Sequence, residues 1–142
     1  MYLKVTENCN MKCPFCYVPK KPIYMTKDIA YQAIDTYNPD YIIFHGGEPL
    51  LNPDLILKVM EKYPDKEYSM TSNMVIGIGE QQSKILEKLG PGNVATSYSI
   101  DRFYNPKEFE IFKRQVKLLK DYTLIITLSV KQLTTGVTVK EW

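Results

Sequence analysis

The sequence predicts an α/β fold built on a parallel sheet. Short apolar or β-branched segments alternate along the chain with segments whose apolar residues recur at helical spacing. Proline, glycine and asparagine separate many of these segments. Residues 41–44 form a continuous apolar run, which is typical of a strand buried on both faces of a parallel sheet. Such strand–helix–strand units are right-handed and place their strands parallel in one sheet.

Each element follows from a local pattern. The predicted strands cover residues 2–6, 41–44, 67–71, 94–100 and 122–130. The predicted helices cover residues 27–37, the segment from 53 to the proline at 64, residues 80–89, and a segment that starts at 106. Thr26 is the predicted cap of the first helix. Asn52 and Asn105 each precede a proline, so they are the predicted caps of the second and fourth helices.

The composition describes one ordinary globular domain over residues 1–142, with 44% apolar and 24% charged residues. These proportions argue against a disordered chain. No apolar run is long enough to span a membrane, and no signal peptide is visible. The net charge of +2 argues against a dedicated nucleic-acid binder. We therefore expect a cytoplasmic protein without a membrane or nucleic-acid partner.

The three cysteines of the chain are Cys9, Cys13 and Cys16, in a C-x3-C-x2-C cluster. An odd number of cysteines without a signal peptide argues for a reducing compartment and against a disulfide framework. With His45, the single histidine, the cysteines would complete a Cys3His zinc site. Alternatively, they would hold a [4Fe–4S] cluster, whose fourth iron would be free to bind a small molecule.

The segments that follow the predicted strands carry polar or unusual residues. Strand one leads into the cysteines, strand two into residues 45–49, and strand three into Ser72 and Asn73. Strand four ends in residues 97–101. Because ligands of parallel α/β sheets bind at the carboxyl ends of the strands, we expect these residues to meet at one edge.

These residues carry a family resemblance. Residues 9–17, CNMKCPFCY, resemble the C-x3-C-x-aromatic-C signature of radical S-adenosylmethionine (SAM) enzymes. Residues 46–49, GGEP, are similar to the motif that follows strand two in that family. Residues 71–73, TSN, and residues 99–101, SID, are similar to its strand-three and strand-four motifs. The resemblance extends over residues 2–130.

The resemblance implies a cofactor site. Cys9, Cys13 and Cys16 would be the metal ligands, holding three irons of a [4Fe–4S] cluster, and the fourth iron would bind SAM. The two glycines would let the backbone approach the ligand and adopt strained angles. The other implied SAM-binding residues are Phe15 near the adenine, Gly46, Gly47, Glu48 and Pro49 near the methionine amino group, and Asn73 and Ser99 near the carboxylate and the ribose. In this motif Glu48 would hold either the loop or the ligand.

Each of these residues also has a purely structural interpretation. Phe15 would be core packing, and residues 46–49 a plain strand-to-helix turn. Asn73 and Ser99 belong to residue types that are favoured in turns and caps. Asp101 would cap the next segment, and His45, which precedes the GGEP motif, would either face the site or be a structural histidine.

The chain is short for this family. The patterns predict five strands and four to five helices, hence a partial (β/α) barrel with a shortened core. Residues 138–142 suggest the first turn of a fifth helix, and no sixth strand follows. The edge of strand five and Trp142 would be exposed in a monomer. We therefore expect either a minimal member, completed by a partner or as a homodimer, or a shortened one.

The resemblance implies that SAM is cleaved reductively to a 5′-deoxyadenosyl radical that abstracts hydrogen from a substrate. A low-potential electron donor, flavodoxin or ferredoxin, would supply the electron. Among enzyme classes, we favour one that modifies a peptide or protein. An activase that places a glycyl radical on a partner enzyme is the runner-up, and a base- or nucleoside-modifying enzyme is third. The alternatives outside this chemistry are a non-catalytic module that binds the cluster and SAM, and a structural zinc protein.

Overall fold

The computed structural model describes residues 1–99, 102 and 105–127. In these ranges five parallel strands form one sheet, in the same order as along the chain. The sheet, with its four helices, confirms the predicted α/β class and fits a partial barrel. The strands are β1 (Tyr2–Thr6), β2 (Tyr41–Gly46), β3 (Glu67–Ser72), β4 (Val94–Tyr98) and β5 (Thr123–Ile126).

A helix lies between each pair of successive strands. These helices are α1 (Lys27–Tyr37), α2 (Pro53–Lys62), α3 (Glu80–Leu89) and α4 (Pro106–Val116), with a 3₁₀ turn over Pro49–Leu51 before α2. The Thr26 side chain caps α1 by accepting from the Ile29 amide at 3.5 Å, as predicted. In the described ranges no helix combines the length and apolar character that crossing a membrane requires.

Asn52 precedes α2 as predicted but makes no side-chain cap. Its side-chain nitrogen, Nδ2, instead donates to the carbonyl oxygens of Val5 at 3.0 Å and Met25 at 3.3 Å. The backbone at Asn52 thus begins a helix while its side chain ties β1 to the segment before α1. Pro53 needs no amide partner at the first helical position, so α2 starts without this cap.

The core lies between the sheet and the helices. Leu3, Phe44, Met70 and Val94 are register neighbours on four successive strands, and each is at most 3% exposed. The helices contribute further buried residues to the same cluster, including Ile34, Ile56, Val59 and Ile85. Burial of each large apolar side chain contributes about 1.5–3 kcal/mol, so this layer fixes the position of the strand ends.

The opposite, inner face of the sheet is open. In β2, Ile42 and Phe44 are buried, but Tyr41 is exposed and Ile43 is only half-buried. The prediction that this strand is buried on both faces is therefore wrong. A continuous apolar run does not distinguish a covered inner face from an open one, because that depends on the rest of the barrel.

The last elements are shorter in the structure than predicted. The prediction for β4 extends to residue 100, but the strand ends at Tyr98. β5 ends at Ile126, and residues 128–130 of the prediction lie outside the described residues, as do Ile100, Asp101 and the predicted helix start at 138–142. The apolar residues Leu124, Ile125 and Ile126 of β5 are 44–50% exposed.

Candidate functional site

The cysteines lie on a long loop that leaves β1 and returns beside it. The Glu7 amide and the Thr6 hydroxyl both donate to the carbonyl oxygen of Ile23, at 2.9 and 2.7 Å. The Met25 amide donates to the Val5 carbonyl oxygen at 2.9 Å. These bonds close the base of the loop at the carboxyl end of β1.

All three cysteines line one cavity of about 180 Å³ at this end of the sheet. Cys9 and Cys13 are half-buried, Cys16 is exposed, and all three are free thiols. The Cys16 amide donates to the Cys13 carbonyl oxygen at 3.1 Å, which folds this part of the loop into a turn. The cavity therefore brings together side chains that the sequence places within eight residues.

Burial raises the pKa of the Cys9 thiol, although the Met11 amide, which donates to its sulfur at 3.5 Å, acts in the opposite direction. The thiol is therefore protonated at neutral pH in the protein without metal. Because the thiolate is the metal ligand, binding of a metal at Cys9 releases a proton.

Gly46 and Gly47 pack against the start of the cysteine loop. A Cβ on Gly46 would lie 2.4 Å from the Thr6 carbonyl oxygen, and one on Gly47 would lie 2.2 Å from that of Asn8. Neither glycine has a positive φ, so the expectation of strained angles is wrong. The absence of a side chain instead lets the backbone of β2 continue along the loop, with the Gly47 amide donating to Thr6 at 2.9 Å.

Glu48 is completely buried and joins two strand ends. One carboxylate oxygen accepts from the Leu50 amide at 3.1 Å and the Ser72 hydroxyl at 2.9 Å. The other accepts from the Asn73 amide at 2.7 Å. Burial raises its pKa, and the three donors oppose that shift. Neither Glu48 nor the buried Pro49 lines the cavity, so the described contacts of Glu48 hold the loop.

Asn73 lines the cavity and connects β3 to the cysteine loop. Its side-chain nitrogen, Nδ2, donates to the Asn10 side-chain oxygen at 2.8 Å and lies 3.7 Å from the Cys9 sulfur. Its own side-chain oxygen accepts from the Val75 amide at 2.7 Å. Asn73 thus fixes Cys9 relative to the sheet.

Of the two remaining predicted SAM-binding residues, Phe15 lines the cavity and Ser99 does not. Phe15 lines the cavity and is 44% exposed, so it is not core packing. Ser99 is 1% exposed and lies outside the cavity wall; its hydroxyl has no hydrogen-bond partner among the described residues. A buried hydroxyl without a partner is costly, which leaves it available to a bound polar group.

The structure adds residues that the sequence analysis did not propose as ligands. Arg102, Ser97, Thr71, Tyr17 and Lys20 line the cavity. The Arg102 guanidinium donates to the carbonyl and hydroxyl oxygens of Ser97. The position of Ser97 and Arg102 around the carboxyl end of β4 is the signal that would have found them.

His45 lies on the inner face and also lines the cavity. Its ring meets that of Tyr2 edge to face at 6.1 Å, and burial lowers its pKa. Within the described ranges, no three His, Cys, Asp or Glu side chains are grouped closely enough for one metal ion. The three cysteines and His45 line the same cavity. Three thiols fit the donor chemistry of a [4Fe–4S] cluster, in which each thiolate binds a different iron.

Comparison with known proteins decides the family. The model of the radical SAM superfamily matches residues 3–137. The chain belongs to the radical SAM superfamily. Proteins of this family normally bind a [4Fe–4S] cluster and SAM.

Several curated proteins share this radical SAM region. A Methanocaldococcus jannaschii protein of unassigned function is 35% identical over 71% of the chain and 38% of its own length. Another from that organism, provisionally named a glycyl-radical enzyme activating enzyme, is 29% identical over 71% of the chain and 43% of its length. GTP 3′,8-cyclase of Streptomyces coelicolor is 31% identical over 54% of the chain and 26% of its length. The matches thus span less than half of each relative.

Proposed function

We propose that this chain is a radical SAM enzyme in which Cys9, Cys13 and Cys16 hold a [4Fe–4S] cluster and the adjoining cavity binds SAM. The observation that carries the proposal is that three thiols, two glycines and Asn73 line one cavity at the strand ends. Three thiolates leave one iron of such a cluster without a protein ligand. That iron is where the amino and carboxylate groups of SAM would bind.

When bound, the cluster and SAM supply reductive cleavage of SAM to a 5′-deoxyadenosyl radical, which abstracts hydrogen from a substrate. The protein positions the groups. Gly46 and Gly47 keep the strand end against the loop, and the buried Glu48 ties that strand end to β3 through Ser72 and Asn73. Phe15 and Ser99 are our candidates for contacts to SAM.

We favour a peptide or protein as the substrate. The inner face beside the cavity is open, with Tyr2 72% exposed and Lys4 also exposed, so a bulky substrate can reach the site. We further propose that residues 1–142 act as one domain in the cytoplasm, with flavodoxin or ferredoxin as the electron donor. A second copy or a partner would cover the exposed β5.

A second candidate is an activase that places a glycyl radical on a partner enzyme. The similarity to the provisionally named M. jannaschii activating enzyme favours it. Incubation of the reduced protein with SAM and a glycyl-radical enzyme would then give the electron paramagnetic resonance signal of a glycyl radical. Peptide products without that signal would favour the first candidate.

The test of the main proposal is anaerobic reconstitution with iron and sulfide. We expect about four irons per chain, a broad visible absorption, and 5′-deoxyadenosine after addition of SAM and dithionite. Cys13→Ala should lose both the cluster and the product, whereas Ser83→Ala on the exposed side of α3 should keep them. A colourless protein with one zinc would contradict the proposal. A stable cluster that binds SAM without forming 5′-deoxyadenosine would indicate a non-catalytic module.

A further inference from the structure

The cysteine loop exposes aromatic rings around its most accessible thiol. Tyr17 is 84% exposed and Phe15 is 44% exposed, and these two residues flank the exposed Cys16 in the sequence. The other two thiols are half-buried. The cluster proposed above would therefore lie nearest to solvent on the side of Cys16.

All charged residues of the same loop are basic. Residues 8–25 contain Lys12, Lys20 and Lys21 and no acidic residue. Lys20 faces the cavity, whereas Lys12 and Lys21 are exposed and make no ion pair with a described residue. The nearest acidic residue in the sequence, Glu7, is already paired with Lys4 at 2.8 Å.

Several lysines on the helices form ion pairs within their own helix. Lys58, Lys84 and Lys113 each pair with a carboxylate one helical turn away, at 2.6–2.9 Å. These pairs neutralise the outer surface locally. What distinguishes the cysteine loop is that residues 8–25 contain no acidic residue, whereas the helix lysines Lys88 and Lys107 stand next to Glu87 and Glu108 in the sequence.

We propose that the cysteine loop, with Lys12, Tyr17 and Lys21, is the docking surface for an acidic one-electron carrier protein. The inference rests on the function proposed above, because it needs an electron acceptor beneath the loop. In the step served by docking, a flavodoxin hydroquinone loses one electron and becomes the semiquinone, and the [4Fe–4S]²⁺ cluster gains that electron and becomes [4Fe–4S]⁺.

Charge complementarity selects this partner. Opposite charges steer two proteins into contact and fix their relative orientation, and the effect weakens as salt screens it. Electron transfer slows steeply with distance, so a carrier has to dock close to the group that it reduces. Exposed tyrosine supplies the apolar contact that stabilises such a complex once it has formed.

The test uses the reconstituted full chain and an acidic flavodoxin as the probe. Lys12→Glu/Lys21→Glu changes the net charge from +2 to −2. Lys88→Glu/Lys107→Glu changes it equally, on exposed positions of α3 and α4 that have no ion pair in the described structure. By calorimetry at low salt, we expect the loop variant to raise the dissociation constant at least about tenfold, and the control variant less than about twofold.

Two readouts separate docking from cluster assembly. We expect the loop variant to contain the wild-type amount of iron and to be reduced normally by dithionite, but slowly by flavodoxin hydroquinone. Equal weakening by the control variant, or wild-type affinity of the loop variant, would overturn the docking surface. Weakened binding of an acidic substrate peptide with unchanged flavodoxin affinity would overturn it as well. A wild-type chain that assembles no cluster contradicts the proposed function itself, and iron analysis detects this before flavodoxin is added.

Discussion

Glu48 illustrates how a motif residue acts at the scale of a single side chain. It belongs to the GGEP segment, yet all its described hydrogen bonds are to the protein, at Leu50, Ser72 and Asn73. A carboxylate offers acceptors on both oxygens and no donor, which matches three converging donors. Because the carboxylate and its donors are buried together, each donor would lack a partner without Glu48, and a buried donor without a partner is costly.

Glu48→Gln tests this matching. The glutamine has one oxygen, so its NH2 group would face either the Asn73 amide or the donors from Leu50 and Ser72. We expect a loss of about 1–3 kcal/mol in the free energy of unfolding, measured with urea. Glu61→Gln, on an exposed position of α2, should change it by less than about 0.5 kcal/mol. Equal stability of the two variants would show that the buried bonds contribute nothing net.

The glycines are distinguished by their neighbours. A Cβ on Gly47 would lie 2.2 Å from the Asn8 carbonyl oxygen, whereas one on Gly77 would meet nothing within 4 Å. We expect Gly47→Ala to lower the free energy of unfolding by at least about 1–3 kcal/mol, because backbone atoms must move. Gly77→Ala should be neutral or slightly stabilising. Chemical unfolding of both variants measures the difference, and a neutral Gly47→Ala would contradict the close packing of β2 against the loop.

At the scale of elements, the helix starts show that one residue type serves two purposes. Asn105 caps α4, since its side-chain oxygen accepts from the Lys107 amide at 3.0 Å. Asn52 stands at the same position of α2 but uses its side chain as a donor to Val5 and Met25. The sequence pattern Asn-Pro is identical at both sites, so the difference arises from what packs nearby.

Substitution by aspartate separates these roles, because aspartate caps helices as well as asparagine but cannot donate. We expect Asn52→Asp to lower the melting temperature, since two carbonyl oxygens lose their donor and face a carboxylate. Asn105→Asp should leave it unchanged or raise it slightly. Thermal unfolding followed by circular dichroism tests this; equal effects of the two substitutions would contradict a bridging role for Asn52.

At the scale of the whole molecule, the proposed cluster would link Cys9, Cys13 and Cys16 of the loop within a cavity that Gly46 and Asn73 at the strand ends also line. A group that binds the folded state and not the unfolded state stabilises the fold. We expect anaerobic reconstitution to raise the melting temperature by at least about 4 °C, which for a domain of this size corresponds to roughly 1 kcal/mol. Cys13→Ala, treated identically, should show no rise. A similar rise in that variant would assign the stabilisation to non-specific metal binding.

Much of the architecture was predictable because it depends on local patterns. The periodicity of apolar residues and the prolines located the strands and helices to within a few residues. The exposure of the inner face of the sheet was not predictable, because burial of Ile43 depends on whether other strands close the barrel. At the site, the expectation that ligands bind at the carboxyl ends of parallel strands located Asn73 at the cavity. It did not include Arg102, which also lines the cavity, and it did not show that Glu48 lies outside the lining.

The sequence by itself determined the α/β class, the order of the elements and the family, because these depend on periodicity and on motifs of fixed spacing. Only the tertiary structure decided what each motif residue touches. Gly46 and Gly47 meet the loop backbone, Glu48 bridges two strand ends, and Asn52 donates across elements. Hydrogen bonds and steric contacts act over about 3–4 Å, so they depend on which segments the fold brings together rather than on neighbours along the chain.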